Sequence, residues 1–411
     1  LASSAASDVY KRQFLNWPTE SRQFHCRLSA LFIINHMKKN LIDKIVKRFN
    51  SDDVIKFSEK DGFSEVKSWA HTGSPTLDYN LRTFGLPTGI IEIAGKSRSG
   101  KTTLGLMAMK YFLKENPDNG VAVILSSENR DNKDYALQLG LPVNQIIIIK
   151  IRYVEAMFLQ VKMMINNAKE VLSAEKLTPK FFFLWDSLGA TLSKSELDTM
   201  EENTKKLDKE LQKGTDVEEI ELKNEKMMAF AKEGKKFAKF IMSEMYTNIM
   251  HFVMLNHQYE QSTMGISTRK STGGEWVELL PTIRLSMKLK EHKKVDEVEV
   301  AQITEVKVVK SDFGSRKKTD ICILLGYGII LSEEDIEYAL ENGIVKKEGA
   351  KKITFLNGKV SWSSLREFYR LYQTHNPMMN VLHARIKASM QKDLIAFRQS
   401  LAGQVEEEDE E

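Results

Sequence analysis

With only two cysteines, Cys26 and Cys322, the 411-residue chain cannot build a disulfide framework, and a reducing cytosol is the expected setting. It also lacks any apolar run near the roughly 20 residues that a membrane-spanning helix needs, so no membrane is expected among its partners. In the opening residues, Leu31–Ile34 is too short an apolar core for a signal peptide. Neither sign of charge dominates: 60 Lys and Arg stand against 56 Asp and Glu, so only the placement of charge can speak for or against nucleic acid. The chain opens on Leu1, and its first methionine is Met37, from which a helical pattern starts. Residues 1–36 show no sustained period and are expected to be upstream sequence or a disordered extension.

What is present is an ordinary globular composition, 42% hydrophobic and 28% charged, with room for one large α/β domain and a smaller one. The organising stretch is Gly95-x4-Gly100-Lys101-Thr102, preceded by the β-branched run Ile90, Ile91, Ile93 and followed by a helical pattern from Leu104. Strand, glycine loop and helix in that order make a phosphate-binding loop. Glycines let backbone N–H groups close around phosphate oxygens, Lys101 places a point charge on the β- and γ-phosphates, and the Thr102 hydroxyl is a Mg²⁺ ligand. Gly95, Lys96, Ser97, Arg98, Ser99, Gly100, Lys101, Thr102 and Thr103 are thus the candidate ATP or GTP site.

Further strands are expected at Gly120–Leu125, Gln145–Lys150, Phe181–Trp185 and Ile249–Leu255, with helices at Glu155–Ala174 and Met227–Tyr246 between them. This alternation predicts a mostly parallel, doubly wound sheet, an α/β fold. Glu128 and Asp186 follow strand ends, where open α/β sheets bind ligands, and Asp186 has the pattern of a Mg²⁺-associated carboxylate. Ser193–Lys226 is dense in charge and reads as a solvated helical hairpin or a partly mobile segment near a ligand. Gln258–Glu275, rich in Gly, Ser and Thr, reads as a long functional loop. Thr282–Lys290, Val298–Lys310 and Asp320–Leu325 read as further, antiparallel strands, and Glu406–Glu411 is an acidic run expected to be disordered.

The segment Gly85-Leu-Pro-Thr-Gly-Ile-Ile-Glu-Ile-Ala-Gly-Lys-Ser-Arg-Ser-Gly-Lys-Thr-Thr-Leu104 closely resembles the phosphate-loop region of the RecA recombinases. His71-Thr-Gly-Ser-Pro-Thr-Leu-Asp78, Lys307-Val-Val-Lys310 and Leu325-Gly-Tyr-Gly-Ile329 resemble flanking RecA segments in the right order. Leu255-Asn-His-Gln-Tyr-Glu260 is more similar to UvsX, the recombinase of tailed phages. The resemblance spans about Asp53–Trp362 and implies a RecA/UvsX-type recombinase, phage-encoded, with a RecA-like ATPase core and a small C-terminal α+β lobe. The implied domains are 37–68 as an N-terminal helical segment contacting a neighbouring subunit, 69–329 as the core, 330–400 as the lobe and 401–411 as an acidic tail.

Position by position, the resemblance implies ATP and Mg²⁺ as ligands, the metal held by Thr102 and Asp186. Glu128 matches the general base, Tyr135 the adenine-stacking tyrosine, Asn132 a polar adenine contact, and His257 the γ-phosphate sensor that is glutamine in RecA. Lys310 matches a basic residue reaching ATP from the neighbouring subunit; the second such position reads Asp312, with Arg316 or Lys317 as substitutes, and Ser126 replaces a family aspartate. Gln258–Glu275 matches the second DNA-binding loop, with Met264, Ile266, Arg269, Lys270, Gly273 and Gly274 as candidate contacts, and Ser193–Lys226 includes the first. The implied partners are single-stranded DNA, homologous duplex DNA, further copies in a helical filament, and single-strand-binding and loader proteins of a bacterial or phage-infected cytoplasm. The rival readings are a RecA-fold hexameric helicase or KaiC-like ATPase, and a recombination mediator with weak turnover.

Overall fold

The computed structural model describes residues 68–128, 133–213, 229–263, 266–314 and 317–408. Expectations for 1–67, Asn132, Met264, Arg316 and 409–411 lie outside the described residues. Strands β1 (Trp69–Ala70) and β2 (Leu86–Pro87) pair as a small ribbon around helix α1 (Pro75–Asn80). The main sheet then takes ten strands from the described residues. In chain order they are β3 (Gly89–Gly95), β4 (Gly120–Ser126), β5 (Ile146–Lys150), β6 (Lys180–Asp186), β7 (Ile249–Thr263), β8 (Ile266–Ser271), β9 (Ile283–Val295), β10 (Val298–Ser311), β11 (Lys318–Leu324) and β12 (Gly328–Ile330).

Their order is β12-β11-β10-β9-β3-β7-β6-β4-β5, with β8 paired to the far part of β7. Every pairing from β5 to β9 is parallel, and the pairings from β9 outward to β12 are antiparallel. The fold is therefore α/β with a mixed, mostly parallel central sheet, as the strand–helix alternation predicts. Strand β9 differs from the antiparallel expectation: it runs parallel to β3 and antiparallel only to β10.

The pleat explains how short apolar runs cover two faces at once. On one side Ile91, Ile93, Phe182, Leu184, Val253 and Leu255 pack under α1 and helix α2 (Lys101–Glu115). On the other side Ile90, Phe181, Phe183, Trp185, Phe252 and Met254 pack under helices α4 (Val154–Ala174) and α6 (Ala229–Met245). Between β5 and β3 stand β4, β6 and β7, so the chain leaving β3 through α2 crosses two strands before it becomes β4. That crossover opens a crevice at the strands' C-terminal ends, where an open α/β sheet binds ligands.

Helix α3 (Lys133–Gln138) lies before β5, and helix α5 (Lys194–Gln212), the described part of the charge-dense segment, is one helix with no buried residue. After β12 come α8 (Glu333–Glu341), a small antiparallel sheet of β13 (Lys346–Glu348), β14 (Lys352–Phe355) and β15 (Val360–Trp362), then α9 (Leu365–Gln373) and α10 (Pro377–Glu408). Leu324, Ile330, Phe355, Trp362, Phe368, Leu382 and Ile386 form their core. The α10 backbone remains helical through Glu408, into the acidic run expected to be disordered, because a helix already nucleated propagates at one hydrogen bond per added residue.

Helix α10 returns to the corner between α1 and α2. His383 Nε2 lies 3.0 Å from the Gly73 carbonyl, and Lys387 Nζ lies 3.7 Å from Glu115 Oε1 at the end of α2. Beside them His71 meets Asp78 Oδ2 at 3.1 Å through Nδ1 and Glu115 Oε1 at 3.0 Å through Nε2. Two carboxylates facing both ring nitrogens need two N–H donors, hence an imidazolium. Burial pulls the His71 pKa down, but the hydrogen bonds to Asp78 and Glu115 outweigh it and Lys387, and raise it to about 9. A raised folded-state value contributes stability that is full below the unfolded value near 6.5 and is lost as pH rises through 9. His71→Gln is therefore expected to flatten the fall in urea midpoint between pH 6.5 and 9, removing up to about 3 kcal/mol of it. A slope unchanged by the substitution would reject the charged clasp.

Candidate nucleotide site

Strand β3 carries its backbone straight to Gly95, in the middle of the sheet between β7 and β9. A Cβ at Gly95 would lie 2.5 Å from the Met287 carbonyl, so the strand end tolerates only glycine there. The chain then loops out through Lys96, Ser97 and Arg98, all exposed, while Ser99 is buried. Gly100 is the N-cap of α2 in the left-handed region (φ 87°), with no side-chain cap, which leaves the first N–H groups of the helix for an outside acceptor.

Lys101 is buried, and its Nζ donates to the carbonyls of Gly95 (3.0 Å) and Lys96 (2.9 Å), closing the loop on itself. Burial lowers its pKa, and the charges of Asp186 and Glu128 oppose that. Thr102 Oγ1 donates to Asp186 Oδ2 at 3.1 Å, joining the start of α2 to the end of β6. Asp186 is raised by burial and then by the Glu128 carboxylate, with Thr102, Lys101 and His257 pulling the other way. Two carboxylates held near each other with one ammonium leave surplus negative charge, which a divalent cation would satisfy. The residues fit a triphosphate with Mg²⁺: Ser99 Oγ is buried with no hydrogen-bond partner among the described residues, and Thr102 with Asp186 offers oxygen donors to the metal.

Glu128, two residues past β4, accepts from Ser187 Oγ at 2.5 Å and lies 3.5 Å from His257 Nε2. Tyr135 of α3 is half-buried, and its hydroxyl meets Thr103 Oγ1 at 2.5 Å. A cleft runs between them, lined by Thr102, Glu128, Tyr135, Asp186, Leu106 and Ile148.

A family model described as the RecA N-terminal domain matches residues 36–215. Protein RecA of Chlorobium limicola is 28% identical over 314 residues, 75% of this chain and 79% of that protein. Protein RecA of Chloroherpeton thalassium is 26% identical over 355 residues, 85% of this chain and 88% of that one. Protein RecA of Bartonella bacilliformis is 27% identical over 320 residues, 76% of this chain and 82% of its own length.

The chain is thus similar to RecA proteins over three quarters or more of its length. In this chain Gly95–Thr103, Glu128, Tyr135, Asp186 and His257 gather at one end of the sheet. Lys310 stands apart from them on β10, where its Nζ donates to the Leu279 carbonyl at 2.6 Å. The segment Gln258–Glu275 differs from the expected loop. Strand β7 continues past Asn256 to Thr263 and pairs with β8 in a hairpin, from Gln258 with Ser271 to Thr263 with Ile266. Its Thr- and Ile-bearing sequence suits paired strands as well as a loop, and the register fixes it. Arg269 and Lys270 pair across the hairpin with Glu260 and Tyr259; side-chain roles for Ile266, Arg269 and Lys270 lie outside what is described. Gly273 and Gly274 form the turn between β8 and the short helix α7 (Trp276–Leu279).

The hairpin is rooted in a polar network that sequence reasoning missed. Glu92, buried in the middle of β3, accepts from Asn256 Nδ2 at 2.9 Å and Arg284 Nε at 2.6 Å. Asn256 also donates to the Thr272 carbonyl at 2.8 Å, and Thr272 N donates to the His257 carbonyl at 3.3 Å. A glutamate inside an apolar strand was the available signal, since a buried carboxylate has to be paired. Among the described residues no helix is long and apolar enough to cross a membrane.

Proposed function

We propose that the chain is an ATP-dependent DNA recombinase of the UvsX type that assembles as a helical filament on single-stranded DNA and exchanges strands with homologous duplex. The observation that carries this reading is the convergence of Glu128, Asp186, Thr102 and His257 within hydrogen-bond or near hydrogen-bond reach at the end of β3, β4, β6 and β7. Lys101 and the N–H groups at the start of α2 bind the phosphates, Tyr135 covers the base, and Thr102 and Asp186 hold the metal. Bound Mg²⁺ would neutralise charge on the phosphate oxygens. Glu128 takes the proton of the attacking water as the water oxygen bonds to the γ-phosphorus, and the bond to the bridging oxygen breaks with its electron pair leaving on ADP.

His257 opens the hairpin, so a contact between its imidazole and the γ-phosphate would pass through Asn256, Thr272 and the β7–β8 register to Arg269, Lys270, Gly273 and Gly274. These residues meet DNA phosphates without reading sequence. Lys310 completes a neighbour's ATP site in the filament, and ATP between copies favours the extended, DNA-gripping state. The bacterial or phage-infected cytoplasm is the setting this activity needs, with single-strand-binding and loader proteins as assistants.

The test is ATP turnover of the full chain with and without single-stranded DNA, at low and raised salt. Stimulation by DNA that fades as salt rises is expected, because phosphate contacts release counterions. Turnover indifferent to both would replace this reading with a switch ATPase, and DNA binding without turnover would replace it with a mediator.

A further inference from the structure

Glu128 sits past the end of β4 in a segment without regular structure, and a glutamate there can adopt several rotamers unless something holds it. Ser187, the first residue after β6, does so. Its Oγ donates to Glu128 Oε1 at 2.5 Å, the range of a hydroxyl bound to a charged carboxylate. Ser187 is itself 1% exposed and fixed at both peptide groups. Its N–H donates to Ser127 Oγ at 3.0 Å, and its carbonyl accepts from Ser127 Oγ at 2.8 Å and from Thr191 Oγ1 at 3.1 Å. Thr191 is in turn held by Trp185 Nε1 at 2.9 Å, and Ser127 N donates to the Asp186 carbonyl at 3.0 Å. Trp185, which holds Thr191, is packed in the core face under α6.

His257 Nε2 approaches the same oxygen, Oε1, but only to 3.5 Å. Among the described residues Oε2 accepts no hydrogen bond. We infer that Ser187 is a positioning residue for hydrolysis: its hydroxyl holds Glu128 Oε1, leaves Oε2 to take the proton of the attacking water, and keeps the imidazole of His257 from capturing the carboxylate. This rests on the assignment of Glu128 as general base. Ser187 touches neither water nor phosphate; it acts through Glu128. The balance of the step is that of hydrolysis itself, with the proton passing from water to Oε2 and the phosphorus–oxygen bond pair leaving on ADP.

The experiment is a double-mutant cycle on DNA-stimulated ATP turnover. Ser187→Ala is expected to lower kcat roughly 10- to 100-fold, the scale for a misplaced reacting group, with KM and the affinity for a fluorescent ATP analogue unchanged. Ser187→Thr, which keeps the hydroxyl, is expected to restore most of the rate. In a Glu128→Gln background Ser187→Ala is expected to slow turnover no further, because the two residues act as one unit. Wild-type kcat in Ser187→Ala, or a further full loss in the double variant, would overturn the positioning role while leaving Glu128 as the base. Normal turnover in Glu128→Gln alone would instead reject the base, and the inference with it. Should the alanine variant melt early, Ser187→Cys, a near-isostere with a weak donor, carries the test, with kcat expected between those of serine and alanine.

Discussion

Lys101→Ala is expected to abolish ATP-dependent filament formation and to weaken ATP binding by roughly 30-fold or more. Truncating one partner of a buried, hydrogen-bonded charge pair costs about 2–5 kcal/mol, which is roughly 30-fold to several thousand-fold in affinity. The Lys101 ammonium is buried against the loop it would serve, and among the described residues its acceptors are the Gly95 and Lys96 carbonyls. Phosphate oxygens entering the loop exchange those neutral acceptors for charged ones, which roughly doubles the strength of each bond. The variant also leaves two carbonyls without their donor, a cost of about 1–3 kcal/mol to the loop. Melting should therefore be followed beside fluorescent-analogue binding and light scattering on single-stranded DNA. Unchanged filaments would reject Lys101 as the phosphate-binding lysine.

Glu128→Gln is expected to leave ATP binding intact and to slow hydrolysis at least ~100-fold, the usual scale for losing a positioned base. The amide is nearly isosteric, and its oxygen can still accept from Ser187 Oγ, so the geometry around the end of β6 should persist. What the amide cannot do is take a proton from water. On the proposed reading, in which ATP favours the extended state and hydrolysis releases it, the variant should accumulate filaments that do not turn over. Single-turnover measurements would separate this from slow product release. Wild-type turnover would move the base to another residue.

The strands at Gly120, Phe181 and Ile249 were legible because their apolar runs are short, β-branched or aromatic, and bounded by glycine or carboxylates. The strand, glycine loop and helix around Gly95–Thr103 were legible because a β-branched run, two glycines and a helical pattern follow one another. The hairpin of β7 and β8 was not, since glycine, serine and threonine suit a loop as well as an exposed ladder, and only the long-range register decides. Ser187 was invisible for another reason. Serine carries no periodicity signal, and its importance comes from Glu128, 59 positions earlier, arriving beside it through the parallel pairing of β4 with β6. Helix α10 and its return to α1 gave no advance sign either. His383 and Lys387 look like ordinary helix-surface residues until Gly73 and Glu115 are placed opposite them.

The central position of β3 carries a consequence for how the protein is made. Glu92 and its partner Asn256 are 164 residues apart in the chain, and the other flank of β3 is supplied later still, from Ile283 onward. At synthesis rates of about 5–20 residues per second, the nascent strand waits on the order of 10–30 s before its first neighbour emerges. Throughout that interval Ile90, Ile91 and Ile93 have no sheet to join, and an apolar β-branched segment of this kind is prone to wrong pairings. The Gly95–Lys101 loop is thus among the first parts of the core to be translated and among the last to acquire its shape. Holdase chaperones should bind ribosome-bound chains that end between β4 and β7 and let go once β9 has cleared the exit tunnel.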